Sequence, residues 1–506
     1  MRNEIKRGAV LGYVNMVVNI IVTFIYTPIM LKLLGQNEYG LYSLVASVIS
    51  YLSVLDMGFG NAMIRFVSRS IARDNKEEEG KINGLFLFLY TIISVITLII
   101  GFILIKNIGL LFSETLTVDE LNKAKVLMII LVITMALSFP LSVFDSYIIA
   151  NEKFTFIKLL NIIKTVLQPI TILAVLYMGY KSLALVIITS VYTLLFHICN
   201  LYYCKKKLKM KLYFKLKEID KKLFKEIAFY SLFIFLNIIV DHLYNNTDQI
   251  ILGSVSGTIA VSIYAIATKI TYINQTCSTT ISGLFLPKIT KTLESEKGEE
   301  KTSNIFIRVS RIQLYIMMLI LSGFFVFGKT FITLWVGKEY LDAYYIVLLL
   351  IGPSIIPLTQ NLGITIIQAK NKHGFRSIIY IIIAIINVFI SIPLAKKYGG
   401  VGAAIGTCIA TTIGQIIIMN IYYWKKIHID IPKYWRHFIV FLIPIIFLSA
   451  IGYLLVEKIS FSWLILILCI FLFTLIYLLI CLLFFNKEEK AYINAVFNKL
   501  KKVIKK

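Results

Sequence analysis

The sequence contains few charged residues: Asp, Glu, Lys and Arg make up 16% of its 506 residues, whereas 58% are hydrophobic. It also lacks a glycine-rich phosphate loop, a zinc-ligand spacing and a nucleophile elbow, the motifs that mark nucleotide, zinc and hydrolase sites in a sequence. The composition excludes an ordinary soluble protein. The missing motifs give no support to an enzyme or to a bound cofactor.

Cysteine and histidine are scarce and scattered. The six cysteines have neither a metal-ligand spacing nor a paired framework, and all lie in apolar runs or at their edges: Cys199, Cys204, Cys277, Cys408, Cys469 and Cys481. We interpret them as small apolar packing residues. Of the five histidines, we expect only His242 to lie near carboxylates. The sequence therefore predicts no metal site.

The positive charge is distributed over many short segments. A net charge of +25 is typical of some nucleic-acid-binding proteins, but the basic residues lie between apolar runs rather than on one basic domain. Basic loops on the cytoplasmic side of a membrane explain this pattern better. We therefore predict no nucleic-acid partner.

Apolar runs of eighteen or more residues recur along the chain, and each is long enough to cross a hydrocarbon core of ~30 Å. The first run has no small-residue cleavage site after it, so we interpret it as a retained anchor. With the N-terminus inside, Lys and Arg in the inner segments outnumber those in the outer segments by roughly four to one, which predicts two cytoplasmic termini. The prediction is an all-α integral membrane protein with fourteen transmembrane helices, at about 10–31, 41–64, 83–105, 125–150, 157–179, 182–203, 224–252, 257–287, 305–328, 342–369, 374–395, 400–424, 436–456 and 461–485.

The two halves of the chain resemble each other. A pattern of Asn-Ile-Ile-Val, Tyr and Leu-Gly starts at Asn19 and recurs from Asn237. The segment that starts at Asn200 recurs at Asn420, with a Tyr-Tyr pair and two lysines in each copy. This repeat of about 220 residues predicts two parallel-oriented six-helix lobes around a central cavity.

The predicted domains follow from the repeat: a first lobe, a basic cytoplasmic linker, a second lobe, and two appended helices with a basic cytoplasmic tail, at 1–204, 205–223, 224–426 and 427–506. The first half of the linker alternates apolar and polar residues, which predicts an extended strap on the membrane surface or across the inner mouth. The tail after residue 486 has apolar residues at helical spacing among lysines, which predicts a short interfacial helix.

A polar stripe lies in the seventh predicted span. Asn237, Asp241, Asn245 and Asp248 recur at spacings of four, four and three, so they share one helix face. Carboxylates inside a membrane normally face a bundle interior or a wet cavity. Asn245 is therefore a candidate substrate-binding residue, and Asp241, His242 and Asp248 are candidates for coupling to an ion or a proton.

Five further charged residues fall within predicted spans. Lys269 lies about eleven residues into the eighth span, or roughly 16 Å, and either pairs with an aspartate of the seventh span or lines a cavity for an anionic headgroup. Asp56 precedes two glycines and either caps a helix break or lines the cavity. Arg65 and Lys164 either reach the inner surface or line the cavity. Asp145 is a coupling candidate and a possible partner of Lys164.

Two groups of motifs, one near the N-terminus and one at the start of the second lobe, have a familiar order: Pro28, Leu33 to Gly35, Tyr39 to Tyr42 and Leu55 to Gly60, then Asp248 to Gly253, Tyr264 and Lys269. In this order the chain resembles the polysaccharide-biosynthesis flippases of the multidrug/oligosaccharidyl-lipid/polysaccharide transporter superfamily. The resemblance covers essentially the whole chain, including the number of spans.

The resemblance implies transport of undecaprenyl-diphosphate-linked oligosaccharide from the inner to the outer leaflet, for O-antigen, capsule or teichoic-acid-type assembly. It implies a bacterial cytoplasmic membrane location. The expected partners are membrane lipid, the lipid-linked oligosaccharide, and a polysaccharide polymerase or other glycan-assembly membrane proteins. Two alternatives stay open: a multidrug-type cation antiporter of the same superfamily, and a membrane enzyme of glycan assembly, which the short outer loops disfavour.

Overall fold

The computed structural model describes residues 2–214, 221–283, 285–293, 295–370, 372–457, 459 and 462–485. Over these residues the chain is helical and contains no β-strand. The predicted interfacial helix of the tail lies outside them. The helices are α1 (Arg2–Leu34), α2 (Gln36–Ser50), α3 (Phe59–Ala72), α4 (Lys76–Phe112), α5 (Val118–Ala150), α6 (Phe154–Tyr177), α7 (Ser182–Lys206), α8 (Lys221–Val255), α9 (Gly257–Gly283), α10 (Leu286–Leu293), α11 (Gly298–Trp335), α12 (Asp342–Thr359), α13 (Leu362–Ala369), α14 (His373–Thr411), α15 (Met419–Lys425), α16 (Ile431–Val456) and α17 (Trp463–Phe484).

Eleven segments of the described chain are long and apolar enough to cross a membrane, so this is a multi-pass membrane protein. Residues 374–425 count as one of the eleven, although the backbone of α14 is non-helical at Gly399, where φ is 56° and ψ is −137°. Helices α8 and α9 coincide with the seventh and eighth predicted spans and are not among the eleven. The count of fourteen therefore stays a prediction.

Several helices begin at residues whose side chains satisfy the free amides of a first turn. At the start of α5, the Glu120 amide donates to Thr117 Oγ1 at 3.2 Å, and the Thr117 amide donates to Glu120 Oε2 at 2.9 Å. This reciprocal pair is a capping box. The Asn75 side chain accepts a hydrogen bond from the Glu78 amide at 3.0 Å at the start of α4. Polar caps thus determine the residue at which a helix begins, which the apolar runs alone do not.

The second predicted span is broken in its middle. A 3₁₀ helix at Tyr51–Asp56 follows α2, and Met57 and Gly58 then adopt left-handed φ angles of 51° and 73° before α3 begins. A Cβ atom on Gly58 would lie 2.5 Å from Cγ2 of Ile234 on α8. Glycine therefore serves both the backbone angle and the close approach of α8.

The first half of the basic linker is an extended strap, residues 207–214, that lies along the start of α4. The Tyr213 amide donates to the Gly80 carbonyl at 2.9 Å, and Asn83 Nδ2 donates to the Lys211 carbonyl at 3.2 Å. Leu208 and Met210 pack against the core of α3, α4 and α5, while Lys209 and Lys211 are exposed. The predicted alternation is therefore present from Leu208 to Lys211, but it fails at the end of the strap, where Tyr213 contacts α4 and Phe214 is exposed.

The chain forms two compact units. The first consists of Met1–Ala265 and Tyr380–Gly406, and the second of Ile266–Ile379 and Thr407–Lys506. In the first unit, α5 packs against α4 and α7, and α1 packs against α6. In the second unit, α11 packs against α12, α16 and α17.

Helices α16 and α17 are bonded into the second unit by polar groups. The Arg311 guanidinium on α11 donates to the carbonyl of Phe484, the last residue of α17, at 2.9 Å. The start of α16 makes two further bonds: Thr359 and Tyr434 share one at 2.7 Å, and Trp435 Nε1 donates to Asn420 Oδ1 at 3.2 Å. Cations and donors at a helix C-terminus satisfy its free carbonyls.

Candidate functional site

The helix break of the second span meets α8 at His242. Nε2 of His242 lies 2.8 Å from the hydroxyl of Ser53, and that hydroxyl donates to the Ser50 carbonyl at 2.7 Å. The hydroxyl hydrogen of Ser53 is donated to Ser50. Nε2 of His242 therefore carries a hydrogen and donates it to the Ser53 oxygen. Nδ1 of His242 then accepts from the Asn246 amide, which lies 3.1 Å away. Both ring nitrogens therefore have neutral partners that fit a neutral imidazole.

Tyr51 and Ser47 extend this contact along α8. The Tyr51 hydroxyl lies 2.5 Å from Thr247 Oγ1, and it donates to the His242 carbonyl at 3.3 Å. The Ser47 hydroxyl donates to Gln249 Oε1 at 2.6 Å. The broken span and α8 are thus joined by a run of polar side chains within an otherwise apolar bundle. We call Ser47, Tyr51, Ser53, His242 and Thr247 the break cluster.

The polar stripe of α8 is divided between two environments. Asp241 is exposed, whereas Asp248 is buried, with only 4% of its surface accessible, and accepts a hydrogen bond from the Tyr264 hydroxyl of α9. The side chains of Asn237 and Asn245 lie outside the described part of the structure. The stripe is therefore helical as predicted, but it is His242, next to the stripe, that contacts the break.

Asp56 lies at the end of the 3₁₀ helix and holds the break together. Its carboxylate accepts a hydrogen bond from the Tyr90 hydroxyl at 2.5 Å and lies near the backbone amides of Gly58 and Gly60. A negative charge near the first turn of a helix is favourable. Asp56 thus lies at the break, beside the start of α3, and the choice between its two expected roles stays a prediction.

Arg65 and Lys269 lie in different parts of the fold. The guanidinium of Arg65, near the inner end of α3, stacks over the ring of Tyr230 on α8, with 4.6 Å from Cζ to the ring centroid. One turn later, Arg69 forms a 3.2 Å ion pair with Glu226 of α8. Lys269 is half-buried on α9, in the second compact unit. Its predicted pairing with an aspartate of α8 stays a prediction.

Asp145 and Lys164 line one cavity in the first unit, but they do not form the ion pair that the sequence suggested. Asp145 instead pairs with His197, whose Nδ1 lies 3.0 Å from Oδ2, and accepts a hydrogen bond from Asn200 at 2.6 Å. Lys164 donates to Thr193 Oγ1 at 3.2 Å. The expectation that only His242 lies near carboxylates was wrong, because α5 brings Asp145 to His197.

A signal for this second polar group was present in the sequence. Thr193, His197 and Asn200 are spaced by four and three, the same periodicity that revealed the stripe of α8. Asp145 and Lys164 lie on other helices, so no local pattern links them to His197. Across the described residues, no three His, Cys, Asp or Glu side chains are placed to hold a metal ion.

Known proteins resemble this chain in sequence and in fold. The chain is 24% identical over 191 residues to a probable low-salt glycan biosynthesis flippase of Haloferax volcanii, and the match covers 37% of this chain and 40% of that relative. The chain thus spans less than half the length of that relative. Among solved structures, the lipid II flippase MurJ in an inward-closed conformation has a TM-score of 0.70 at 17% identity, over 94% of this chain and 98% of that chain.

A second solved structure shares the fold. An inward-facing multidrug resistance transporter of the MATE family has a TM-score of 0.61 at 14% identity, over 83% of this chain and 96% of that chain. The fold is therefore common to proteins named for different cargoes. A sequence model of the family described as polysaccharide biosynthesis protein matches residues 5–293, which is more than half of the chain. The chain belongs to this polysaccharide biosynthesis protein family.

Proposed function

We propose that the protein is a flippase that carries an undecaprenyl-diphosphate-linked oligosaccharide from the inner to the outer leaflet of a bacterial cytoplasmic membrane. Its family membership supports the class of cargo. The structural observation that carries the proposal is the break cluster, in which a helix break at Tyr51–Asp56 faces the polar helix α8. Irregular backbone at membrane depth is tolerated where it is buried in protein or lines a water-filled cavity.

The chemistry of the cargo explains why such a protein is needed. A diphosphate-linked sugar cannot cross hydrocarbon unaided, because its charges and hydroxyls would lose their hydration. A cavity between two lobes can hold the headgroup among polar and basic side chains while the lipid tail stays in the bilayer. Alternating access then exposes that cavity to each side of the membrane in turn.

The architecture that goes with this function is two six-helix lobes, 1–204 and 224–426, with fourteen spans in all. Similar aromatic pairs in the two halves support the repeat. Phe156 stacks on Tyr203 with ring centroids 3.8 Å apart, and Phe375 stacks on Tyr422 at 4.3 Å, each with an interplanar angle of 14°. In both halves the start of the fifth span is thus fastened to the end of the sixth.

A second pair of contacts also supports the repeat. Asn200 donates to Asp145 at 2.6 Å, and its counterpart Asn420 exchanges hydrogen bonds with Gln360 at 2.9 and 3.2 Å. In each half an asparagine of the sixth span is therefore bonded to a polar side chain of the fourth. The proposed cytoplasmic location of both termini rests on the excess of Lys and Arg in the inner segments.

The proposed residue roles follow the charges. Lys269, Arg65, Lys164, Asn245 and Asp56 are the proposed cavity residues. Among them, Arg65 is exposed on α3 and stacks on Tyr230, so its guanidinium is already positioned near α8. Asp56 is bonded to Tyr90 at the break, so in this proposal it also supports the shape of the cavity wall. The proposed coupling residues are Asp241, His242, Asp248 and Asp145.

The alternatives differ in what they need from these groups. A cation antiporter would use the carboxylates of α8, Asp241 and Asp248, for a cationic cargo, and the shared fold is compatible with it. The family membership favours the lipid-linked glycan cargo instead. A glycan-assembly enzyme would need a site that forms covalent bonds, and the sequence offers no motif for one.

The deciding experiment is reconstitution of the purified protein in liposomes with a lipid-linked oligosaccharide whose sugar is labelled. We expect the labelled sugar to become accessible on the opposite face while its covalent structure stays unchanged. Efflux of cationic dyes without glycan movement would indicate the antiporter instead. New glycosidic bonds in the recovered lipid would indicate an enzyme.

A further inference from the structure

A polar cavity lies among α5, α6 and α7, separate from the break cluster. It has a volume of about 90 Å³, and its polar lining is Asp145, Asn161, Lys164, Thr193, His197 and Asn200. A cavity of this size has room for water or for a side chain to move. We propose that Asp145 and His197 form a proton-binding site here, and that Lys164 takes over Asp145 when the proton leaves His197.

Both carboxylate oxygens of Asp145 are engaged, Oδ1 by Asn200 at 2.6 Å and Oδ2 by His197 at 3.0 Å. Nδ1 of His197 is buried and makes no hydrogen bond in the described structure, so its polar contact is the 3.0 Å approach to Asp145. A protonated His197 therefore neutralises Asp145 through a direct contact, which a neutral ring cannot do.

Among the described residues, the Lys164 ammonium donates only to Thr193. The hydroxyl hydrogen of Thr193 is in turn donated to the Thr189 carbonyl. The ammonium thus has a neutral partner while a carboxylate lines the same cavity. When His197 becomes neutral, Asp145 and Lys164 are the two charges left in the lining, and their attraction favours a direct pair.

The two histidines of this unit differ in the groups that their rings face. His242 has two neutral partners, Ser53 and Asn246, and a proton on Nδ1 would face the amide hydrogens of Asn246. His197 faces a carboxylate. The two rings therefore differ in the charge of the group that they face.

The other elements packed on α7 add no charge near this site. Helix α7 packs against α5, α6 and α2. Helix α5 contributes Asp145, and α6 contributes Lys164. The charged group that α2 presents to α7 is Glu38, which bonds Ser182, about 22 Å along α7 from His197 at 1.5 Å per residue. Proton exchange would therefore act on the contacts that join α6 to α5 and α7.

A titration of the purified protein in nanodiscs tests this site without any transport assay. Histidine is labelled on the ring, and NMR spectra are recorded from pH 5 to 8; His197→Gln identifies the resonance. We expect the His197 signal to titrate in this window. Asp145→Asn should move the midpoint to lower pH, and Lys164→Met should move it to higher pH, by about one to three units for a close charge.

Hydrogen exchange measured on the same samples tests whether protonation changes the packing. After correction for intrinsic exchange, peptides of α5, α6 and α7 in the wild type should change protection across the midpoint. The change should disappear in His197→Gln and persist in His242→Gln. If His197→Gln does not fold, the shifted midpoint of Lys164→Met must appear in the exchange data as well.

Two results would overturn the proposal: a His197 resonance that does not titrate between pH 5 and 8, or a titration without any change in the exchange of α5 to α7. As a coupling site, the proposal rests on the proposed function. In liposomes, a pH gradient should accelerate oligosaccharide transport by the wild type but not by His197→Gln, and equal acceleration of both would also refute it. If the wild type moves no oligosaccharide, the flippase assignment fails, while the titration still decides the proton site.

Discussion

Nε2 of His242 lies 2.8 Å from the hydroxyl of Ser53, so a side chain of α8 is bonded directly to the break in the second span. The bond crosses 189 positions in the sequence. It links residues of the two predicted lobes, and any movement of α8 relative to the break must stretch or break it. We expect it to hold one state of the transport cycle.

Replacement of Ser53 by Ala tests this bond. The His242 ring would lose its acceptor, and an unsatisfied buried donor costs about 1–3 kcal/mol. We expect a lower unfolding temperature in detergent and a changed transport rate. Ser449→Ala is the matched control, because Ser449 donates only to the Ile445 carbonyl of its own helix. Equal effects of the two substitutions would show that the contact with His242 has no special role.

Asp56 and Tyr90 should act as one structural unit. The Tyr90 ring is fully buried and its hydroxyl donates to Asp56 at 2.5 Å, so Tyr90→Phe should lower stability by about 1.5–3 kcal/mol, the range for a bond to a charged group. Asp56→Ala should lower it further, because the carboxylate also lies beside the first turn of α3, where a negative charge is favourable. The double variant should lose less than the sum. Loss of transport without loss of stability in Asp56→Ala would instead indicate contact with cargo.

Lys269 distinguishes a structural ion pair from a cargo contact. If it binds a diphosphate, Lys269→Ala should leave the amount of protein in the membrane nearly unchanged while transport falls sharply. Lys269→Arg should keep much of the transport, because both cations bind phosphate. The measurements are immunoblots of membranes and the liposome assay. Recovery of abundance and transport on adding Asp241→Asn or Asp248→Asn would show that Lys269 only balances a carboxylate, since a buried charge without its partner costs ~3–5 kcal/mol.

Proteolysis tests the contact between the strap and α4. A Cβ atom on Gly84 would lie 2.1 Å from the carbonyl oxygen of Tyr213, so Gly84→Val should displace the strap from α4. We expect trypsin to cut faster at Lys209 and Lys211. Gly109→Val is the control on the same helix, because a Cβ there meets no atom within 4 Å. Unchanged cleavage in Gly84→Val would mean that the strap is held by other contacts.

Cysteine labels test the predicted topology. Labels in 205–222 and 487–506 should react with an impermeant reagent from the cytoplasmic side, and labels at Gly257 and Lys458 from the outside. The basis of this expectation is that Lys and Arg residues are roughly four times as numerous in the inner segments as in the outer ones. Reversed reactivity at any of these positions would contradict the fourteen-span arrangement.

Apolar run length predicted the helices well because crossing a membrane imposes that length on each span. It placed the start of the third span at 83, however, whereas α4 begins at Lys76. The difference arises because Asn75 caps the helix outside the apolar run, and a polar cap leaves no trace in hydropathy. The glycines after Asp56 likewise indicated a break, and a left-handed φ at Gly58 is the reason.

The site was harder to predict because its contacts join residues far apart in sequence. The stripe of α8 was visible from spacing, but spacing could not tell that Asp248 would be covered by Tyr264 while Asp241 stays exposed. Asp145 and His197 lie on different helices, and no local pattern pairs them. Which side chains on separate helices come into contact depends on how the helices pack, and a single sequence taken alone does not reveal that packing.

The bonds from α16 and α17 into the second unit bear on how short such a transporter can be. Tyr434 bonds Thr359, Trp435 bonds Asn420, and Phe484 accepts from Arg311. Arg311 is 8% exposed and Thr359 fully buried, so deleting the last two helices would open these polar groups to lipid. A chain that ends after residue 426 would therefore be destabilised. Shortening the protein to the twelve helices of the predicted repeat would require apolar replacements at Arg311, Thr359 and Asn420.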